Sequence, residues 1–308
     1  MALKDRITFG MSLPHRSPDP IDVAAVRTVA QRAEALGFLD LWVTENTLDH
    51  VTSFDPISVL TYAAAVTSRI RLGASVVVLA IHSPINVAHG WATLDVLSGG
   101  RAVLGVGLGR EHHYRQFEVP EAGRVRRFRE EVELIRALWT QDRVTYQGRF
   151  YSLADGTMPL RPVQKPLPIW MGVGHPDAVR RAASMADGWM GSGGSSIDEF
   201  GRSVPILREA LEKAGRDPAT FPVSKRIFMA VDERPEVARR ELHRWFTEVY
   251  HNPAGTDASG IHGTPEQVRE KLEEVGAMGA NHLLLNPVSR HVEQVEAMAE
   301  VVGMSPGE

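Results

Sequence analysis

The feature that most constrains this chain is an alternation. Short runs rich in β-branched residues are each followed by a longer stretch whose apolar residues recur every three or four positions. A helix between two strands brings the second back parallel to the first, so the pattern specifies repeated βα units rather than hairpins. Ile7–Ser12 reads as the first strand. Ile21–Leu36 reads as the first helix, with Val23, Val26, Val29, Ala30, Ala33 and Leu36 on one face and Gly37 as its left-handed cap. Leu39–Thr44, Ile70–Leu79 and Arg101–Gly107 are strands two to four, separated by helices over Pro56–Thr67 and Ala88–Leu97. Ile70–Leu79 is apolar on both faces, as a parallel strand covered on both sides must be.

After a fourth helix over Val125–Trp139 the alternation is interrupted. Arg143–Leu153 alternates about Gly148 and reads as an inserted hairpin; Pro159–Pro168 holds four prolines and reads as an extended loop. Strands resume at Ile169–Val173, Gly188–Gly191, Val223–Val231 and His282–Asn286. Helices are expected from Asp177, over Glu236–Tyr250 and over Pro265–Met278, with His251–Gly263 as a loop. Eight strands in 308 residues predict an α/β fold: one (β/α)8 TIM-barrel domain over residues 1–308, with an inserted hairpin and loops.

Composition narrows the partners. A net charge of −4 with interspersed acids and bases offers no basic surface for nucleic acid or an anionic membrane. The chain has no cysteine, which excludes disulfides, thiolate nucleophiles and zinc–thiolate sites. Glu111–His112–His113 is too compact for a helical metal site, so no metal is expected. No run approaches the roughly 18 to 20 apolar residues that span a bilayer, and Met1–Arg6 is charged where a leader would be apolar. A cytoplasmic location is expected.

Several stretches carry a resemblance. They are Asp95–Arg101 (DVLSGGR), Gly105–Gly109 (GVGLG), Leu160–Val173 (LRPVQKPLPIWMGV) and Ala186–Trp189 (ADGW), joined by Glu133–Thr140, Tyr146–Tyr151 and Gly263–Val268. In this order the chain resembles the luciferase-like family, and within it the branch of oxidoreductases dependent on the deazaflavin coenzyme F420. The resemblance implies a homodimer-prone barrel with the cofactor ring in its mouth. It implies a non-prolyl cis peptide at Ser75–Val76 bracing the ring, and space for the ring at Gly107 and Leu108. The cofactor phosphate is expected at Gly172, Val173, Gly174, His175 and Pro176, where small residues and a helix start offer free N–H groups. The alternative reading of Gly105–Gly109 as a dinucleotide fingerprint fails, because the third glycine and the later acidic residue are missing.

The chain departs from its relatives where chemistry is concentrated. Many carry an Asp–His pair after strand two; here it is Glu45–Asn46. An amide can orient a cofactor or substrate by hydrogen bonds but cannot exchange a proton as imidazole does. His82 and His113, on the loops after strands three and four, are the candidates to replace that histidine. A phosphate-holding lysine of the sugar-phosphate enzymes would fall near Ser195, so a sugar-phosphate substrate is not expected. The reading is hydride transfer between F420 and a small, largely apolar organic substrate, with Asn46, His82 and His113 as catalytic candidates and Glu45 among the cofactor contacts. An FMN-dependent monooxygenase is the alternative, and a non-catalytic flavin-binding homologue the third.

Overall fold

A computed structural model describes residues 2–306. Eight parallel strands close on themselves: β1 (Thr8–Ser12), β2 (Asp40–Val43), β3 (Arg71–Ala74), β4 (Ala102–Gly107), β5 (Ile169–Gly172), β6 (Gly188–Gly191), β7 (Val223–Val231) and β8 (His282–Pro287). Each pairs with the next, and β8 pairs with β1 from Thr8↔His282 to Met11↔Leu285. The main helices are α1 (Val23–Leu36), α2 (Pro56–Val66), α3 (Pro84–Ser98), α4 (Glu111–Gln116), α5 (Arg124–Thr140), α6 (Pro176–Met185), α7 (Ile197–Lys213) and α8 (Pro235–Glu248). After a single turn, α9 (Gly255–Ala258), come α10 (Pro265–Ala277) and α11 (His291–Val302). The fold is the barrel the alternation predicts.

Three expectations are corrected. The stretch Ile70–Leu79 is not one strand: β3 stops at Ala74, a cis peptide joins Ser75 to Val76, and a short continuation, Val77–Val78, pairs with the end of β4. Helix α3 starts at Pro84 rather than Ala88, because proline suits the first helical turn, where its missing N–H costs nothing. The loop His251–Gly263 contains α9 and a further strand, Gly260–Gly263, which pairs in parallel with Phe228–Val231. That four-residue GIHG segment has no alternation of its own; pairing with β7 makes it a strand. The inserted hairpin is present as Val144–Gln147 against Ser152–Gly156.

Side chains fill the barrel axis. Trp42, Val103, Trp170, Met190 and Leu284 form an inner cluster, with the indoles of Trp42 and Trp170 5.3 Å apart between ring centres. Glycine makes the room: a Cβ on Gly73 would lie 2.5 Å from Trp42, and one on Gly105 only 1.8 Å from the Ala74 carbonyl oxygen. Below the indoles, at the strands' N-terminal ends, Ser224 hydrogen-bonds His282 Nδ1 (2.7 Å) and His282 Nε2 meets Asp40 Oδ1 (3.0 Å). All three are buried, and they lie on the end of the barrel that serves stability rather than chemistry. This Ser–His–Asp chain is a polar floor, to which Trp42 Nε1 adds a hydrogen bond to Asp40 (2.6 Å).

Candidate active site

A cavity of about 940 Å3 opens at the C-terminal ends of the strands, the end where barrel enzymes build their sites. Its back wall is made by Ser75 and Val76. The Val76 side chain sits in a slot between β4 and β5 that only glycine leaves open: a Cβ on Gly107 would come within 2.6 Å of Val76, and one on Gly172 within 2.5 Å. The result is an apolar ledge between two bare backbones. The Ser75 hydroxyl beside it is buried and has no hydrogen-bond partner. A ledge that accepts a flat ring and a buried polar atom without a partner both fit a bound aromatic cofactor.

One side wall is Thr44–Asn46, at the end of β2. Its geometry starts from His15, whose Nδ1 lies 2.7 Å from the Leu13 carbonyl and must carry the proton. Nε2 is then an acceptor, taking the Thr44 N–H and hydroxyl, each at 2.8 Å. Burial pushes the His15 pKa down to about 3, so the ring stays neutral and this polarity holds. With its proton committed, the Thr44 hydroxyl accepts from Asn46 Nδ2 at 2.8 Å. The chain Leu13–His15–Thr44 thereby fixes the amide orientation and leaves Asn46 Oδ1 as the acceptor presented to the cavity.

Glu45 faces the other way. Its buried carboxylate accepts the Val78 N–H (2.6 Å) and meets His82 Nε2 (2.5 Å), tying β2 to the segment after Val76. The hydrogen bond that His82 donates to Glu45 raises the His82 pKa against the opposing effect of burial. The His82 ring lies outside the cavity lining, so the structure separates it from the other two catalytic candidates. His113 does line the cavity. Its Nδ1 accepts the Arg110 N–H at 2.9 Å, which leaves Nε2–H as the outward group; burial and the neighbouring His112, whose tilted ring is centred 4.0 Å away, lower its pKa.

Of the residues expected to hold the cofactor, Glu45, Asn46, Ser75, Val76, Gly107, Leu108, Gly172, Val173, Gly174 and His175 line this one cavity. Pro176 lies next door, with Val173 and Gly174, in a smaller recess of about 370 Å3 that reaches Ser195. His175 caps α6, its Nδ1 accepting the Asp177 N–H at 3.2 Å, and Gly174 faces open space.

Sequence reasoning missed much of the lining: Arg16, Asp49, Arg110, His112, Arg226 and Tyr250. A largely apolar substrate was expected; three guanidiniums and five imidazoles surround this cavity. The two basic residues of β7 were the available signal, since a central parallel strand has little other reason to carry Lys225–Arg226. The alternation of side chains sends them to opposite faces. Lys225, fully buried, donates to the Ser192 and Ser195 carbonyls and the Ser195 hydroxyl, pinning the loop after β6; burial brings its pKa down to about 7. Arg226 points into the cavity.

The chain matches the luciferase-like monooxygenase family profile over residues 7–300. A protein of Kineococcus radiotolerans named F420-dependent glucose-6-phosphate dehydrogenase is 35% identical over 225 residues, 70% of this chain and 66% of that protein, so the match spans just under two thirds of the relative's length. Among solved structures, an F420-dependent secondary alcohol dehydrogenase in complex with an F420–acetone adduct superposes with a TM-score of 0.85 at 21% identity, covering 96% and 98% of the two chains. A monooxygenase from Streptomyces bottropensis gives 0.83 at 22%, with the same coverage. At such identities the two structures speak for the fold alone.

Proposed function

The chain belongs to the luciferase-like monooxygenase family, and from that premise we propose that it is an F420-dependent oxidoreductase acting on a small organic substrate. The observation that carries the proposal is the ledge: Val76 seated between Gly107 and Gly172, with the unpartnered Ser75 hydroxyl beside it. The name of the Kineococcus relative supports F420 over FMN as the occupant. When bound, F420 supplies the hydride chemistry.

The chain's own residues supply position and polarity. Val76 backs the ring, and Gly107, Leu108 and Gly172 leave it room. Gly174 and His175 receive the phosphate at the positive end of α6, where the Asp177 N–H, capped by the His175 side chain, becomes available if that ring turns away. Asn46 Oδ1, held by Thr44 and His15, fixes a donor on the cofactor or substrate. His113 Nε2–H donates to a substrate oxygen and is the group that can pass a proton there. His82 acts through Glu45, holding its carboxylate in place. Ser195, where a lysine would hold a sugar phosphate, has its hydroxyl engaged by Lys225, which argues for another substrate. The same reading places the enzyme in the cytoplasm as a homodimer. Exposed Ile85, Val96 and Leu97 on α3 offer an apolar face for the partner copy.

Titrating the purified protein with F420 and with FMN, followed by cofactor fluorescence, tests the proposal. Micromolar or tighter binding of F420 with weaker FMN binding supports it. The reverse preference would replace it with a reduced-flavin monooxygenase.

A further inference from the structure

Among the described residues three arginines are buried, Arg101, Arg127 and Arg226, and the first and last are treated differently. Arg101, 8% exposed, makes five hydrogen bonds, to the carbonyls of Ser98, Ile70, Ala64 and Thr67 and to the Thr67 hydroxyl. Arg226, 7% exposed, donates Nε–H to Asn286 Oδ1 at 2.9 Å and has the Tyr250 hydroxyl as its one other side-chain partner. The Asn286 amide nitrogen is turned to the Pro287 carbonyl (3.0 Å), so its oxygen is a genuine acceptor. The guanidinium lies over the Phe228 ring, 4.6 Å from its centre, with Tyr250 alongside. Among the described residues, no carboxylate lies within 4 Å of it. Its fork opens into the cavity already described.

A buried charge with no counter-ion is costly unless something completes it. Neighbouring charges make matters worse, because Arg16 and Arg110 line the same cavity. Arg16 is neutralised by Asp49 at 2.6 Å; Arg110, at the exposed rim, has no acidic partner among the described residues. The surplus is one buried, planar, singly charged fork with an aromatic underside. That is the geometry a carboxylate completes with two parallel hydrogen bonds. A phosphate dianion would need a second buried cation, and Asp49 has already taken the charge of Arg16. We infer that the substrate carries a carboxylate and that Arg226 binds it, with Phe228 and Tyr250 flanking the group. The inference deepens the proposed function and rests on it for the reaction, though not for the binding itself.

The test uses benzoate, its uncharged counterpart benzyl alcohol, and inorganic phosphate as probes. Each is titrated calorimetrically into the protein, with and without F420, and into Arg226→Gln and Arg226→Lys. Benzoate is expected to bind at least tenfold tighter than benzyl alcohol to the wild type, to lose that advantage in Arg226→Gln, and to keep part of it in Arg226→Lys. F420 affinity, which also reports folding, should stay within about twofold in both variants. Equal binding of benzoate and benzyl alcohol overturns the inference, and so does phosphate binding more tightly than benzoate. Loss of F420 affinity in both variants that retain the wild-type melting curve overturns it too, by assigning the guanidinium to the cofactor. Wild-type protein that binds benzoate but no F420 would sink the proposed function and leave the carboxylate site standing.

Discussion

The two ends of the barrel use the same kinds of side chain to opposite effect. At the floor, Asp40, His282, Ser224 and Trp42 hydrogen-bond one another, Asp40 Oδ2 has only the longer 3.7 Å contact with Arg71, and Arg101 satisfies every donor it has. At the mouth, Ser75 keeps an unbonded hydroxyl, Asn46 presents an unclaimed oxygen, and Arg226 holds a charge without a counter-ion. A closed polar network contributes to stability; an open one costs stability until a ligand closes it. The difference lies in the partners and not in the residue types.

Substitutions at the two ends should therefore fail in different ways. The largest effect is expected from Gly105→Ala, whose Cβ would sit 1.8 Å from a backbone oxygen that cannot step aside; soluble expression should be lost, and a normal yield would show that β3 and β4 are less tightly packed than described. Next comes Arg101→Ala at the floor. It strands five acceptors and should cost about 3–5 kcal/mol, read as a fall in melting temperature while F420 still binds at low temperature. A variant as stable as the wild type would erase the contrast between the ends.

At the mouth, Asn46→Ala should shift the melting point little, under about 1 kcal/mol, yet lower kcat/KM by about ten- to a hundredfold. A matching loss of stability would make Asn46 part of the scaffold. The smallest effect concerns pH. In the folded protein His82 should titrate above its ordinary value of 6.5, because Glu45 favours the charged ring. A raised folded pKa means the pair's contribution to stability is present in full below 6.5 and fades as pH rises through the folded value. In NMR, Glu45→Gln should bring the His82 midpoint down; an unmoved midpoint would show that the pair does not govern it.

Much of this was legible in the sequence, and the limits have physical causes. The barrel strands announce themselves because a parallel strand must be apolar on both faces, and seven of the eight were found within two residues of their ends. The exception, β3, was overrun because Ser75–Val76 breaks the strand without breaking its hydrophobicity. The residues expected to hold the cofactor came from the family resemblance, supported by glycines and a helix start, and most of them line one cavity. The mouth's charges were not found, because Arg16, Arg110 and Arg226 converge only through the closure of the sheet. The histidines show the same limit: His82 and His113 both sit on rim loops, yet only His113 reaches the cavity, because Glu45 turns His82 aside.

The strand Gly260–Gly263 gives β7 hydrogen-bonding neighbours beyond the rim. β8 lines one edge from Ser224 to Met229, and the added strand takes over from Phe228 to Val231. Such a doubly braced strand exchanges its amide protons slowly and bends little. The wall bearing Arg226 is thus a fixed ruler. Any adaptation to longer or bulkier molecules must come from the loops of the rim, where the stacked rings of His50 and His251 stand on segments that sequence drift can lengthen. Engineering a new specificity into this barrel should begin there and leave β7 alone.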